Sequence, residues 1–125
     1  MITKIISTEQ DSFELTGIKS HITNISDLDK FNVITKSVVN CFEIPIENLQ
    51  IKSRKRLIVL PRQIAQYFTK MFTKFSFAKI GKLIGNKNHA TVLHSCRTIN
   101  NLIKTDRKFA KQIEEIKQII NKNLI

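Results

Sequence analysis

The sequence predicts a small all-α fold: a helical bundle containing a helix–turn–helix, with an N-terminal arm of undetermined structure. Three observations carry this. Of 125 residues only three are glycine and two proline, so few positions suit the tight turns of a sheet fold. From Ser26 onward apolar residues recur every three or four positions, the period of a helix with one buried face. Short polar breaks with helix-capping residues separate these periodic stretches. A chain of 125 residues forms one core and has little room for a second. The expected division is an arm over residues 1–25 and a folded domain over 26–125.

The arm contains "KIISTEQDSFELTGIKSHI", with Ile, Thr and Phe in weak alternation. It reads as a partner-binding or dimerising arm, a short hairpin, or a tail that is laid on the core or disordered. The first helix follows. In "SDLD", Ser26 is the cap and Asp29 the third residue, and an acidic first turn suits the helix dipole. Leu28, Phe31, Ile34, Val38 and Phe42 follow at helical spacing, Pro45 closes the helix, and "PIENL" forms a further short turn. "KSRKR", residues 52–56, reads as a basic linker. The next helix is expected to begin near Leu60 with Pro61 in its first position, burying Ile64, Ala65, Phe68, Met71 and Phe72. A short helix from Ser76 to Ile84 points Phe77, Ile80 and Leu83 inward. "GNKN" is a turn, and Asn88 caps a helix from His89 to about Lys104 with Val92, Leu93, Cys96, Ile99 and Ile103 inward. Asp106 caps a last helix with Phe109, Ile113, Ile116 and Ile120 on one side.

Charge narrows the function. The formal net charge is +11, and its distribution is uneven. Residues 1–47 are net negative, whereas residues 48–105 hold twelve basic side chains and no acidic one. Surface helices ordinarily mix both signs. A wholly basic surface repels itself unless a polyanion offsets it, so nucleic acid is the leading partner and an anionic membrane surface the second. No apolar run approaches the ~20 residues that span a bilayer, and no signal peptide is visible. Cys41 and Cys96 read as small buried hydrophobes in a reducing compartment, and the expected location is cytoplasmic and nucleoid-associated.

Catalytic and metal readings are weak. His89 and His94 are five residues apart, too far round a helix for easy co-ligation, and no carboxylate is local. No acid within the 58-residue segment can orient a histidine for acid–base work. "KIGKLIG" has glycines in the wrong order and spacing for a phosphate loop, so neither nucleotide nor any other cofactor is expected. Gly81, mid-helix, costs about 1 kcal/mol against Ala and marks a close approach where no side chain fits. A helix–turn–helix accounts for more. Its second helix opens with Asn88, His89, Ala90, Thr91 and then His94, all able to face base edges or phosphates, with Lys82 and Lys87 beside the duplex backbone. Arg62, Gln63 and Lys70 on the preceding helix suit phosphate or base contacts, and the basic linker suits a minor groove.

The stretch "LPRQIAQYFTKMFTKFSFAKIGKLIGNKNHATVLHSCRTI" resembles the C-terminal DNA-binding domain of the bacterial replication initiator DnaA. The likeness rests on Arg62-Gln63 opening a long helix, Ile80-Gly81 in the first helix of the motif, and Asn88-His89-Ala90-Thr91-Val92 with His94 opening the second. It extends over roughly residues 27–120. The resemblance implies major-groove reading by Asn88, His89, Ala90 and Thr91 with His94 close by, a minor-groove role for Arg54, and supporting contacts from Arg62, Gln63 and Lys70. It also implies a double-stranded DNA partner with short boxes containing TTATNCACA, bound in that family behind an ATP-binding AAA+ domain for which this chain has no room. A replication or regulatory protein is a further expected partner. Two residues depart from the family pattern: Asn88 stands where the family has Asp, and Ala90 where it has Thr. Asn donates as well as accepts, which favours adenine, and Ala90 keeps a methyl but loses a hydroxyl. Three roles stay open: initiation or its regulation, transcriptional regulation, or a protein-interaction module that uses the same fold.

Overall fold

The computed structural model describes residues 25–125. The expected arm over residues 1–25 lies outside the described residues except for Ile25, which packs half-buried against the core. Five α-helices and one 3-10 turn follow: α1 (Asp27–Phe42), η1 (Ile46–Gln50), α2 (Arg56–Phe72), α3 (Phe77–Leu83), α4 (His89–Thr105) and α5 (Arg107–Leu124). The described residues contain no strand, as the all-α expectation requires. Helix α2 is the central strut and packs against α1, α3, α4 and η1. Helix α5 closes the bundle against α1 and α4, and α3 lies on α4 to form the helix–turn–helix.

Local chemistry sets most boundaries. Four helices start at a side-chain cap that satisfies an otherwise orphaned N–H. Ser26 Oγ accepts from the Asp29 N–H at 3.1 Å, and Ser76 Oγ from the Lys79 N–H at 3.1 Å. Asn88 Oδ1 accepts from the Thr91 N–H at 2.9 Å, and Asp106 Oδ1 from the Phe109 N–H at 3.1 Å. Helix α1 ends at Glu43, which takes a left-handed conformation (φ 55) while the Ile44 N–H donates to Val39 O. Pro45 therefore opens η1 and does not itself stop α1.

Helix α2 starts four residues earlier than the sequence suggests. Arg56 is already helical, so only residues 52–55 of the basic stretch are linker, and Pro61 sits in the second turn. Proline there removes one helical N–H, whose acceptor would be the carbonyl of Leu57, a residue 82 % exposed. Ile58, Val59 and Leu60 are each half-buried, so the extra turn continues the apolar face backward and offsets the proline.

The core runs from Ile34 and Val38 on α1 through Ile64, Ala65 and Phe68 on α2 to Ile80, Ile84, Val92 and Ile99 around the helix–turn–helix. Phe109, Ile113, Ile116, Ile120 and Leu124 seal it from α5. Several expected core residues lie at its margin. Leu28 is 53 % exposed, because Lys30, Ile34 and Val38 set the buried face of α1. Cys41 is exposed on α1, which corrects its reading as a buried hydrophobe, and Cys96 is half-buried. Leu83 and Phe77 are half-buried, while Ile84, at the end of α3, is fully enclosed.

Phe68 is the bulkiest fully buried side chain, packed edge-on to Tyr67 and tilted against Phe72. Phe68→Ala is expected to cost about 3–5 kcal/mol, read as a lower urea midpoint at unchanged slope. Alkali is expected to destabilise the fold. Burial pushes the Cys96 thiol and the Tyr67 phenol each up to about 12 from ordinary values of 9.0 and 10.0. The unfolded chain then loses those protons while the native state keeps them, so stability falls as pH rises from about 9 to about 12. Urea midpoints that stay level across that window would contradict this.

Candidate nucleic-acid interface

The helix–turn–helix depends on one close approach. The Lys87 N–H donates to Gly81 O at 2.8 Å, folding the turn back onto α3. A Cβ at Gly81 would collide with the Lys87 carbonyl oxygen, lie 2.9 Å from its carbonyl carbon and press on Val92 Cγ2 at 3.3 Å. The turn reverses through two consecutive left-handed residues, Gly85 (φ 82) and Asn86 (φ 50), types that tolerate that region.

Two glutamines from elsewhere in the fold hold this turn. Gln50 of η1 donates through Nε2 to Leu83 O at 2.7 Å, and its Oε1 accepts from the Gly85 N–H at 2.8 Å. Gln66 of α2, 1 % exposed, donates through Nε2 to Ile84 O at 3.2 Å. Three successive residues at the end of α3 are thereby fixed to η1 and α2. Neither glutamine was singled out in the sequence.

Helix α4 is divided lengthwise. Val92, Ser95 and Ile99 face inward, and Ser95 Oγ donates back to Thr91 O at 3.1 Å. Asn88, His89, Ala90, Thr91 and His94 are all exposed, so its first turns present the expected reading residues to solvent. The helix carries no acidic residue. Asn88 has two jobs of unequal freedom: its carbonyl oxygen is occupied by the cap, and its amide nitrogen is the polar group left over.

The basic linker is held beside α4 by Arg62. That guanidinium was expected to contact DNA, yet Arg62 is only 6 % exposed. It donates through Nη1 to Ile51 O at 2.6 Å and through Nη2 to Ser53 O at 3.2 Å. Burial lowers its pKa from the ordinary guanidinium range, and backbone carbonyls provide its hydrogen-bond acceptors. Arg62 thus staples the linker to α2, and exposed Arg54 directly follows its second anchor point, Ser53.

An open cavity of about 320 Å³ lies where linker, α2 and α4 meet. Arg54, Arg62, Gln63, Lys87, Thr91 and His94 line it, which brings six of the expected site residues together. Among the described residues the buried Oε1 of Gln66, another lining residue, has no hydrogen-bond partner. A neighbouring cavity of about 410 Å³ gathers Lys52, Arg54 and Lys87. Asn88, His89 and Ala90 stand beyond the first cavity on the opening turn of α4. Lys70 is not part of this cluster. Its Nζ donates to Phe75 O at 3.2 Å and lies 4.7 Å from the Phe77 ring centre, bracing the junction of α2 and α3.

The charges on this face are uncompensated. Among the described residues the one ion pair joins Lys30 to Asp27 at 3.7 Å, on α1. Arg54, Lys82, Lys87 and Arg97 belong to the acid-free segment and pair with no carboxylate among the described residues. No helix among the described residues is long and apolar enough to cross a membrane.

Comparison with known proteins agrees with this geometry. The family model described as the bacterial dnaA protein helix-turn-helix matches residues 31–99. The chromosomal replication initiator protein DnaA of Flavobacterium psychrophilum is 41% identical over 99 residues, covering 79% of this chain and 21% of its own length. That of Bacteroides thetaiotaomicron is 45% identical over 89 residues, covering 71% and 19%. That of Wolbachia pipientis wMel is 43% identical over 86 residues, covering 69% and 19%. The chain spans about a fifth of the length of these curated relatives.

Gly81→Ala tests the close approach. In an ordinary helix the substitution gains about 1 kcal/mol. Here it is expected to destabilise by about 2 kcal/mol or more, because the turn must move off α3. A gain in thermal midpoint would show that the turn does not depend on Gly81.

Proposed function

This chain belongs to the bacterial DnaA helix-turn-helix family, and from that premise we propose that it binds double-stranded DNA at short, specific boxes of the DnaA-box type. The observation that carries the reading is one exposed face that is basic, acid-free and built around the first turns of α4. In this reading α4 enters a major groove. His89 and Thr91 meet base edges or methyl groups, Ala90 offers a methyl to thymine, and His94 lies beside the same groove. Arg54, carried on the linker that Arg62 anchors, reaches the adjacent minor groove, and Lys52 and Lys87 neutralise phosphates between the two. Gln63 lines the cavity between linker and α4 and is placed for a backbone contact. Lys70 contributes through the long-range field and by bracing α3. The binding needs no metal, nucleotide or other cofactor.

The biological setting proposed is replication initiation or its regulation, in the cytoplasm at the nucleoid, with a replication or regulatory protein as a further partner. The curated relatives are named chromosomal replication initiators, and this chain matches about a fifth of their length. A DNA-contacting module is therefore the part of such a system that the chain supplies.

Duplex binding is expected to weaken by about a hundredfold or more between 50 and 200 mM salt, as counterion release from several phosphate contacts requires. In randomised-duplex selection, His89→Ala and Thr91→Ala are each expected to blur one or two positions of the selected box, at about 1–3 kcal/mol per lost base contact. Salt-insensitive binding, or an unchanged box in both variants, would count against groove reading by α4. Capture of a protein partner with no duplex binding at low salt would favour an interaction module.

A further inference from the structure

We infer that Asn88 reads its base pair as a hydrogen-bond donor, so the base it faces is one that presents a carbonyl in the major groove, guanine or thymine. The inference rests on the duplex-binding reading above and adds to it the chemical sense of one contact.

The argument starts from the cap. Asn88 has extended backbone angles (φ −79, ψ 171) immediately before α4, and its side chain accepts from the Thr91 N–H at 2.9 Å. Only oxygen can accept there, so the chemistry of the bond identifies which branch of the amide is Oδ1. That oxygen is turned back onto the helix end. The other branch of the planar amide, Nδ2, is the group an exposed Asn88 has left to offer a groove, and it carries two hydrogens and no acceptor. Breaking the cap to free the oxygen would leave the Thr91 N–H without its partner.

The four bases respond differently to such a probe. Guanine presents two acceptors in the major groove, O6 and N7, and thymine presents O4. Cytosine presents only the N4 amino donor, which opposes another donor. Adenine is engaged by asparagine through a fork in which the side-chain oxygen accepts from N6 while its nitrogen donates to N7. With one lone pair of the oxygen held by the Thr91 N–H, the acceptor half of that fork is weakened. The preference for adenine that Asn suggests from sequence alone is thereby replaced by a preference for guanine or thymine. Ala90, two residues on, has no polar side-chain group to add an acceptor.

Asn88→Asp is the direct test, because it is close to isosteric and Asp caps a helix as well as Asn. It turns the outward atom from a donor into an acceptor. Randomised-duplex selection on the full chain is expected to enrich guanine or thymine at one position. With Asn88→Asp the same position is expected to move to cytosine or adenine. In paired competition binding, the ratio of affinities for the two boxes should cross over by about tenfold, the scale of one directional contact. Taking the ratio removes the uniform loss that an added negative charge causes on every duplex. Asn88→Ser keeps a capping oxygen and loses the amide, and is expected to flatten the preference at that position alone. The same base pair, in the same orientation, with Asn and Asp overturns the inference while leaving duplex recognition standing. Absence of any duplex selection overturns both.

Discussion

The contact on which the functional face depends is the hydrogen bond from the Lys87 N–H to Gly81 O, with no Cβ between them. It fixes where α3 stops, how the turn reverses and the direction in which α4 leaves. Asn88 can then cap α4, and Asn88 through Thr91 can stand clear of the bundle. Lys87 supplies the backbone of this contact and lines both cavities. Folding and charge placement thus meet in one residue. The glutamines add a second level of control. Gln50 and Gln66 tie Leu83, Ile84 and Gly85 to η1 and α2, so the turn is braced by the body of the fold as well as by its own angles.

The basic linker is ordered by the same economy of contacts. A stretch dense in positive charge has little reason to lie close to a cationic helix, since like charges repel. The Arg62 guanidinium overcomes this at short range by donating to the carbonyls of Ile51 and Ser53, which are neutral and leave the charge uncompensated. The linker is therefore held while the face stays positive, a condition suited to a polyanion. Acids of the described chain lie on α1 and at its C-cap Glu43, on η1, at the α4–α5 junction and on α5, outside residues 48–105. The linker and the start of α4 thus contain no acid of their own.

How much of this was legible in the sequence follows from the range of each interaction. The caps at Ser26, Ser76, Asn88 and Asp106 act over three residues, so the starts of four helices were readable from local chemistry. The apolar period of α5 was equally clear, because one face dominates it. The start of α2 was not, since burial of Ile58, Val59 and Leu60 overrode the usual place of a proline. Leu28 fits the helical period yet faces solvent, because periodicity cannot say which of two adjacent stripes finds a partner. Gln50 meets Leu83 across 33 residues and Gly85 across 35, and Arg62 meets Ile51 across 11. No local pattern announces contacts of that span. The same limit explains why Arg62 read as a DNA contact when its guanidinium is used inside the protein. The exposure of Asn88 to Thr91 and of His94 was legible because Val92 and Ile99 fix the inward side of α4.

The central claim is that one face, made by the linker and the start of α4, receives a duplex. Backbone amide shifts of the isotopically labelled chain, followed while a DnaA-box duplex is titrated in, test it most directly. The expected result is movement concentrated at Lys52–Lys55 and Lys87–His94, with α5 and the outer side of α1 unchanged. Movement concentrated on α5 and α1, with the start of α4 still, would contradict it.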